Sequence, residues 1–330
     1  MSRRRPFIRA ALVAALAAAG LGLDGTAQAQ EFPNKPVTVF TAFAPGSGPD
    51  AVLRLVAEKL SKTWKQRVLV ENRPGGGGFI AMDAARRAAP DGHTLLQLDS
   101  EHLAAVPHLY KARNFETLKV FDPVATLFRT NFFIAVPTDS KWKSVADLVS
   151  EAKGKSGALT FGSWGVGSPG HLGGERLELL THVNMQHVPF REVSQLFTSV
   201  AAGEPAWSFA TLPSSQGPYK AGRIRYLAVA APKRQPQMPD VPTVAEAGGP
   251  KDLEVNSFVV LVAPKGLPAA VRDRINADVA AALAEPDIKA RFETFAFESP
   301  GWSPAEIERQ AAIKSRVYSE LISRKSISLE

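Results

Sequence analysis

The chain has 330 residues, 45% hydrophobic and 22% charged, the balance of an ordinary globular protein long enough to build two cores. It contains no cysteine, which excludes disulfides, thiolate metal sites and cysteine catalysis together. The formal charge of +7 falls to +4 once an N-terminal leader carrying four arginines and Asp24 is set aside, and no basic run remains, so nucleic acid is not an expected partner.

That leader is read over residues 1–29. Arg3-Arg4-Arg5 is a charged n-region, residues 10–23 are mostly apolar, and Ala27-Gln28-Ala29 is an A-x-A cleavage site. The apolar stretch is too short and too alanine-rich to anchor in a membrane. Arg4-Arg5-Pro6-Phe7-Ile8-Arg9 also resembles a twin-arginine signal, with Arg3 where Ser or Thr is usual, so export is expected and its route stays open.

In the mature chain, residues 37–43 are β-branched or aromatic and uncharged, as in a strand buried on both faces. Ala44-Pro45-Gly46-Ser47-Gly48-Pro49-Asp50 breaks regular structure, after which Val52, Leu55, Val56 and Leu60 share one helical face. Such a helix turns its unpaired N–H groups and positive dipole end toward the glycines, a seat for a small anion and most simply a carboxylate. The Ser47 hydroxyl can donate to that anion. Asp50 would repel it, and is expected to cap the helix or brace the turn.

A second strand at 67–70 leads through Gly75-Gly76-Gly77-Gly78 to an alanine-rich helix over 79–89. Pro90-Asp91-Gly92 then turns the chain into a strand at 94–98. This alternation indicates a parallel, doubly wound sheet. Residues 124–128 and 132–136 are further strands, and Ser144 with Asp147 forms a capping box for a helix to about 152. Leu159-Thr160-Phe161 runs into the glycine-rich stretch 162–170 and a helix at 171–180. This second strand, glycine turn and helix predicts a second domain of similar design. Residues 196–202 are helical, 224–230 a strand, and Pro242 starts a short helix that Gly248 ends. A strand at 258–263 precedes a helix opened by Pro268, with Val271, Ile275, Val279 and Leu283 on one face. Ser303, Pro304 and Glu306 cap a last helix with Ile313, Val317 and Leu321 on one side.

Rival chemistries find less in these residues. Gly46-Ser47-Gly48-Pro49-Asp50-Ala51 fits G-x-G-x-x-A, with Glu71 about twenty residues further on, as in a dinucleotide site. An exported nicotinamide-dependent oxidoreductase is therefore one alternative, although export and the repeated glycine turn speak against it. The four glycines at 75–78 lack the Lys-Ser/Thr ending of a phosphate loop, and Ser163 and Ser168 each miss the G-x-S-x-G elbow by one position. His171 and Glu175, one turn apart, lack a third metal ligand nearby and read as a packing pair; His102 and His108 are too isolated to assign. A ligand-free scaffold or sensory partner is the other alternative.

Several segments, in order, resemble one family. They are Phe32-Pro33-Asn34-Lys35-Pro36-Val37; Phe43-Ala44-Pro45-Gly46 with Asp50; Val70-Glu71-Asn72-Arg73-Pro74-Gly75-Gly76-Gly77; and Ala89-Pro90-Asp91-Gly92-His93-Thr94-Leu95-Leu96. The match continues with Phe121-Asp122-Pro123-Val124-Ala125, Gly165-Val166-Gly167-Ser168 with His171-Leu172, His187-Val188-Pro189-Phe190, Val241-Pro242-Thr243, and Ala263-Pro264-Lys265-Gly266-Leu267-Pro268. Over 31–322 the chain resembles the Bug-type solute-binding proteins, the extracytoplasmic receptors of tripartite tricarboxylate transporters.

The resemblance implies an α/β, two-domain periplasmic-binding-protein fold (type II, Venus flytrap) with a hinge of crossing strands. Domain 1 would hold 31–127 plus 257–330 and domain 2 would hold 128–256. It further implies a periplasmic monomer, not an enzyme and without cofactor or metal, that carries a small organic acid to membrane permease subunits. The ligand-binding residues would be Ala44, Gly46, Ser47 and Gly48 in a first cradle and Ser163, Gly165, Gly167 and Ser168 in a second. Phe43 and Ser100 would serve as walls. The departures from the family pattern are Ser47 and Pro49 within the glycine run, Glu101-His102 for small hydroxyl residues, Glu192 for glycine and Ala206 for aspartate.

Overall fold

The computed structural model describes residues 32–329, so the leader expected at 1–29 lies outside the described residues. In chain order, β1 (Val37–Thr41), α1 (Gly48–Trp64), β2 (Val68–Asn72), α2 (Phe79–Ala85), β3 (Thr94–Asp99), α3 (Ser100–Ala104), α4 (Val106–Leu109), α5 (Thr117–Val120) and β4 (Phe121–Asn131) come first. There follow β5 (Phe133–Pro137), α6 (Val145–Gly154), β6 (Thr160–Ser163), α7 (Pro169–Thr181), β7 (Gln186–Pro189), α8 (Val193–Val200), β8 (Trp207–Ala210), α9 (Leu212–Lys220) and β9 (Ile224–Val229). The chain closes with β10 (Asn256–Pro264), α10 (Ala269–Leu283), α11 (Pro286–Phe295), β11 (Phe297–Glu298) and α12 (Pro304–Arg324).

These strands form two sheets, ordered β11-β4-β10-β3-β1-β2 and β7-β6-β8-β5-β9. The expected parallel winding holds locally: β1 pairs β2 and β3 in parallel, and β6 pairs β7 and β8 in parallel. It fails globally, because β10 runs antiparallel to both β3 and β4, and β5 antiparallel to β8 and β9. Both sheets are therefore mixed. The reason is the passage between them: β4 leaves the first sheet and β10 returns to it, and an outgoing and a returning strand laid side by side must be antiparallel. Their ladder extends from Phe121 opposite Pro264 to Asn131 opposite Asn256. At its end the Phe132 N–H donates to the Val255 carbonyl (3.0 Å), the Ala230 N–H to the Phe132 carbonyl (2.8 Å) and the Val255 N–H to the Ala230 carbonyl (2.9 Å), so both connections cross at one point.

Each sheet has its own apolar core. Leu96, Leu98, Phe121, Phe258 and Val260 pack beneath α2 and α12, while Ile134, Phe161, Trp207 and Phe209 pack with Leu148 of α6 and Leu177 of α7. Two expectations need correction, and two elements stand where none was expected. Residues 242–248 form turns and no helix, although Thr243 and Glu246 exchange capping bonds of 2.7 and 3.1 Å; Gly248, Gly249 and Pro250 stop propagation after one turn. Ile313 is exposed, because the buried face of α12 is drawn by Ile307, Ala311, Tyr318 and Leu321. Strand β8 and helix α9 were not expected; α9 carries Pro213, Gly217 and Pro218, a composition that hides a helix from propensity.

Helix α7 lies flat on β6 because Gly174 has no side chain: a Cβ there would stand 2.2 Å from the Phe161 ring. Gly174→Ala gains up to about 1 kcal/mol of helix propensity but overpacks a rigid buried ring, at roughly 1–3 kcal/mol. A net loss of stability is expected in urea unfolding; a gain would contradict this packing.

Candidate functional site

The first glycine turn is built on the ends of β1 and β3. Buried Thr41 donates through Oγ1 to Gln97 Oε1 (2.7 Å), and Gln97 Nε2 donates to the Pro49 carbonyl (3.0 Å), which pins the start of α1 to the sheet. Asp50, 2% exposed, accepts from the Gly46 N–H (2.8 Å), Arg54 Nε (3.0 Å) and Asn72 Nδ2 (2.7 Å). Burial alone would raise its pKa, but those bonds outweigh it and hold the carboxyl below the usual carboxylate range. Asp50 thus braces the turn. The Gly46 amide is consequently taken, and a pyrophosphate on the G-x-G-x-x-A stretch would lack it. Ser47 caps α1, its Oγ accepting from the Asp50 N–H at 3.4 Å, which leaves the hydroxyl hydrogen for another acceptor. The Gly48 amide is among the first-turn donors that helix geometry leaves unpaired.

The second turn is more closed upon itself. Ser163 is fully buried, and its Oγ meets the Gly165 carbonyl (2.9 Å), the Gly165 N–H (3.2 Å) and His187 Nε2 (2.7 Å). Ser168 donates to the Gly165 carbonyl (2.7 Å) and caps α7 by accepting from the His171 N–H (3.3 Å). The Gly167 N–H donates to His171 Nδ1 (3.1 Å), while His171 Nε2 stands 3.4 Å from Glu175, itself paired to Lys325. Burial first, and then neighbouring His171, push the His187 pKa down to about 4.

Both turns border one cavity of about 430 Å³ between the sheets. Gly48 and Pro49 of α1, Pro169 of α7, Val193 of α8, and Pro213 with Ser214 of α9 all line it, each within the first turn of its helix. Four helix N-termini therefore border the same space, and the positive dipole end of a helix favours an anion near it. A smaller cavity of about 250 Å³ adjoins it and shares Phe43, Gly75, Asp99, Trp164 and Pro169; Gly77, Gly78, His102, Gly167 and Ser168 complete much of its wall.

Of the residues singled out in the sequence, Phe43, Ala44, Gly48, Gly167 and Ser168 line these cavities. Gly46, Ser47 and Gly165 belong to the same turns but are not among the residues lining either cavity. Ser100, like Ser163, is fully buried, bonded to Glu101 (2.9 Å) and Ser257 (3.1 Å). The Glu101 carboxylate is held by Lys314 (2.8 Å), Tyr318 (2.7 Å) and Ser257 (2.7 Å), so this departure ties α12 to β10. His102 Nδ1 stands 2.5 Å from Asp99 Oδ1. Burial opposes both charges, yet mutual attraction prevails: the Asp99 pKa is lowered and the His102 pKa raised, leaving an ion pair on the cavity wall.

Sequence reasoning missed Arg191, Phe128, Phe297 and the start of α9 as wall residues. Thr211-x-x-Ser214 with Pro213 between them was a legible helix-start signal. Nothing local marks the other three.

A family model described as the tripartite tricarboxylate transporter family receptor matches residues 52–326. A UPF0065 protein from the tcbD-tcbE intergenic region of Pseudomonas sp. strain P51 is 33% identical over 273 residues, 83% of this chain and 81% of that protein. Among solved structures, Rhodopseudomonas palustris Rpa4515 with adipate superposes with a TM-score of 0.82 at 29% identity, covering 91% of this chain and all of that one. MatC from the same organism, with bound malate, gives 0.79 at 27% identity over 88% of this chain and all of its own.

The depressed His187 pKa carries a signed consequence. Between its folded value of about 4 and the ordinary 6.5 the folded chain binds fewer protons than the unfolded one, so its contribution to stability is present above 6.5 and lost as pH falls through about 4. Urea midpoints should drop across that window, and His187→Gln should flatten the drop relative to the parent; parallel curves would remove His187 from the account.

Proposed function

Because the chain belongs to the tripartite tricarboxylate transporter receptor family, whose members are periplasmic solute receptors, we propose that it captures a small organic carboxylate between two closing domains and delivers it to the membrane subunits of a tripartite transporter. The single observation that carries this reading is the convergence of four helix N-termini on one cavity between the sheets. At about 430 Å³ that cavity falls within the range of about 300–1,000 Å³ usual for small-molecule sites. The adipate in Rpa4515 and the malate in MatC support a carboxylate as the anion.

Domain 1 would comprise 31–127 with 257–330 and domain 2 would comprise 128–256, hinged where Phe132, Ala230 and Val255 cross. In the open form the acid binds at the α1 end, where the Gly48 amide and Ser47 hydroxyl donate to it. Closure then brings the starts of α7, α8 and α9 over it and excludes water. The ligand shifts the equilibrium by its differential contacts with the closed form, and the closed shape is what the transporter reads. No bond in the acid is made or broken. The turns suit this role because the Gly46, Gly165 and Gly167 amides already brace them, so little reorganises on binding.

Isothermal calorimetry against mono-, di- and tricarboxylates should find a micromolar or tighter ligand. Ser47→Ala should weaken it by roughly tenfold to a hundredfold, the worth of one charge-assisted hydrogen bond. The same change removes a helix cap at about 1 kcal/mol, so lost stability with unchanged affinity would restrict Ser47 to capping. Gly167, at φ +82°, would place a Cβ 2.6 Å from Leu109, which belongs to the other proposed domain. Gly167→Ala should therefore reduce ligand-induced compaction in small-angle scattering while the chain stays folded; full compaction would show that closure does not need this contact.

A further inference from the structure

Resting on the receptor reading and its two proposed domains, we infer that residues 325–329, which follow α12, form a strap across the domain seam. Leu329 is a wall residue of the ligand site, and Lys325 is the positioning residue that holds it there. Three observations combine.

The first is the direction of the chain. At the end of α12 the Ser326 N–H donates to the Ser323 carbonyl (3.3 Å) and the Ile327 N–H to the Ile322 carbonyl (3.0 Å), with Ser326 at φ +51°. This helix stop is usually built on glycine, and a serine in the left-handed region has to be held there by its surroundings. The surroundings are apolar: Ile327 and Leu329 pack against a cluster that holds Leu109 of α4, Leu172 of α7 and Leu321 of α12.

The second is charge. Lys325 Nζ pairs with Glu175 (3.0 Å) and with Glu178, both on α7. Glu178 is 2% exposed and also accepts from the Met185 N–H. Two carboxylates one helical turn apart repel, and a cation shared between them removes the repulsion. Burial works against the Lys325 charge, but the two acids outweigh it and raise its pKa. Glu175 also stands 3.4 Å from His171 Nε2, and His171 Nδ1 accepts from the Gly167 N–H (3.1 Å), so Lys325 is connected through α7 to the second glycine turn.

The third is where the strap arrives. The Leu329 N–H donates to the carbonyl of Leu109, the last residue of α4 (3.0 Å), and Leu329 lines the smaller cavity together with Gly167 and Ser168. A Cβ added to Gly167 would lie 3.4 Å from Leu329 Cδ1. The segment thus touches α4 of proposed domain 1, α7 of proposed domain 2 and the cavity at once, which it can do only while the domains lie together.

Hydrogen–deuterium exchange on the full mature chain without ligand tests the strap, comparing the parent with Lys325→Gln, Lys325→Arg and Leu329→Ala. Lys325→Gln should speed exchange about tenfold in residues 326–329 and in the second turn at 163–168, and Lys325→Arg should restore most of the protection. Leu329→Ala leaves both ion pairs in place, so it keeps the test valid if Lys325→Gln does not fold; it should speed exchange at 163–168 about threefold. An unchanged second turn in Leu329→Ala, or a Lys325→Arg that behaves like Lys325→Gln, would overturn the inference. With adipate as probe, stopped-flow tryptophan fluorescence should show Leu329→Ala raising the dissociation rate about tenfold and the association rate changing less than about twofold, because contacts completed after encounter govern release. A lowered urea midpoint with an unchanged dissociation rate would confine the segment to stability and overturn its role at the site. Adipate that does not bind the parent would count against the receptor reading, while the exchange result would still decide the strap.

Discussion

The antiparallel ladder of β4 against β10 is the constraint on which the rest depends. Each of the two strand, glycine turn and helix units could fold on its own sheet and face anywhere. Because the chain crosses from one sheet to the other at Phe132 and returns past Val255, with the three backbone bonds among Phe132, Ala230 and Val255 fixing the crossing, the end of β4 runs directly into β5 and ties the two sheets together. The C-terminal ends of β1 and β6, where the helices begin, then open onto one cavity.

The turns do not work as bare nests of amides. Gly46 donates to Asp50, Gly165 to Ser163 and Gly167 to His171, so three of the glycine N–H groups expected at a ligand serve instead to hold the turns' own shape. First-turn residues of α1, α7, α8 and α9 line the cavity instead. Prolines within those first turns, at 49, 169 and 213, suit helix starts because no N–H is left unpaired there. Asp50 illustrates the division of labour: Arg54, Asn72 and Gly46 saturate its carboxylate, so its charge serves the turn itself.

The departures from the family pattern sort by the same logic. Glu101 is absorbed by Lys314, Tyr318 and Ser257 and joins α12 to β10. His102 neutralises Asp99, which would otherwise stand as an uncompensated negative charge on the wall. With these charges paired internally, the potential in the cleft is left to the helix ends and Arg191.

Local chemistry in the sequence was enough to determine the leader pattern, the β1-turn-α1 and β6-turn-α7 units, the caps at Ser144 and Ser303, and the bracing role of Asp50, because each is written in residues a few positions apart. It also carried the family, through ordered segments spread over most of the chain. Only the tertiary structure decided that the sheets are mixed, that Ser100 and Ser163 are buried, that Ile313 faces outward, and that Arg191, Phe128 and Phe297 meet around one cavity. Those facts depend on which strands lie side by side after the chain has crossed twice between sheets, and pairings between residues more than a hundred positions apart leave no periodicity or spacing for a sequence to display.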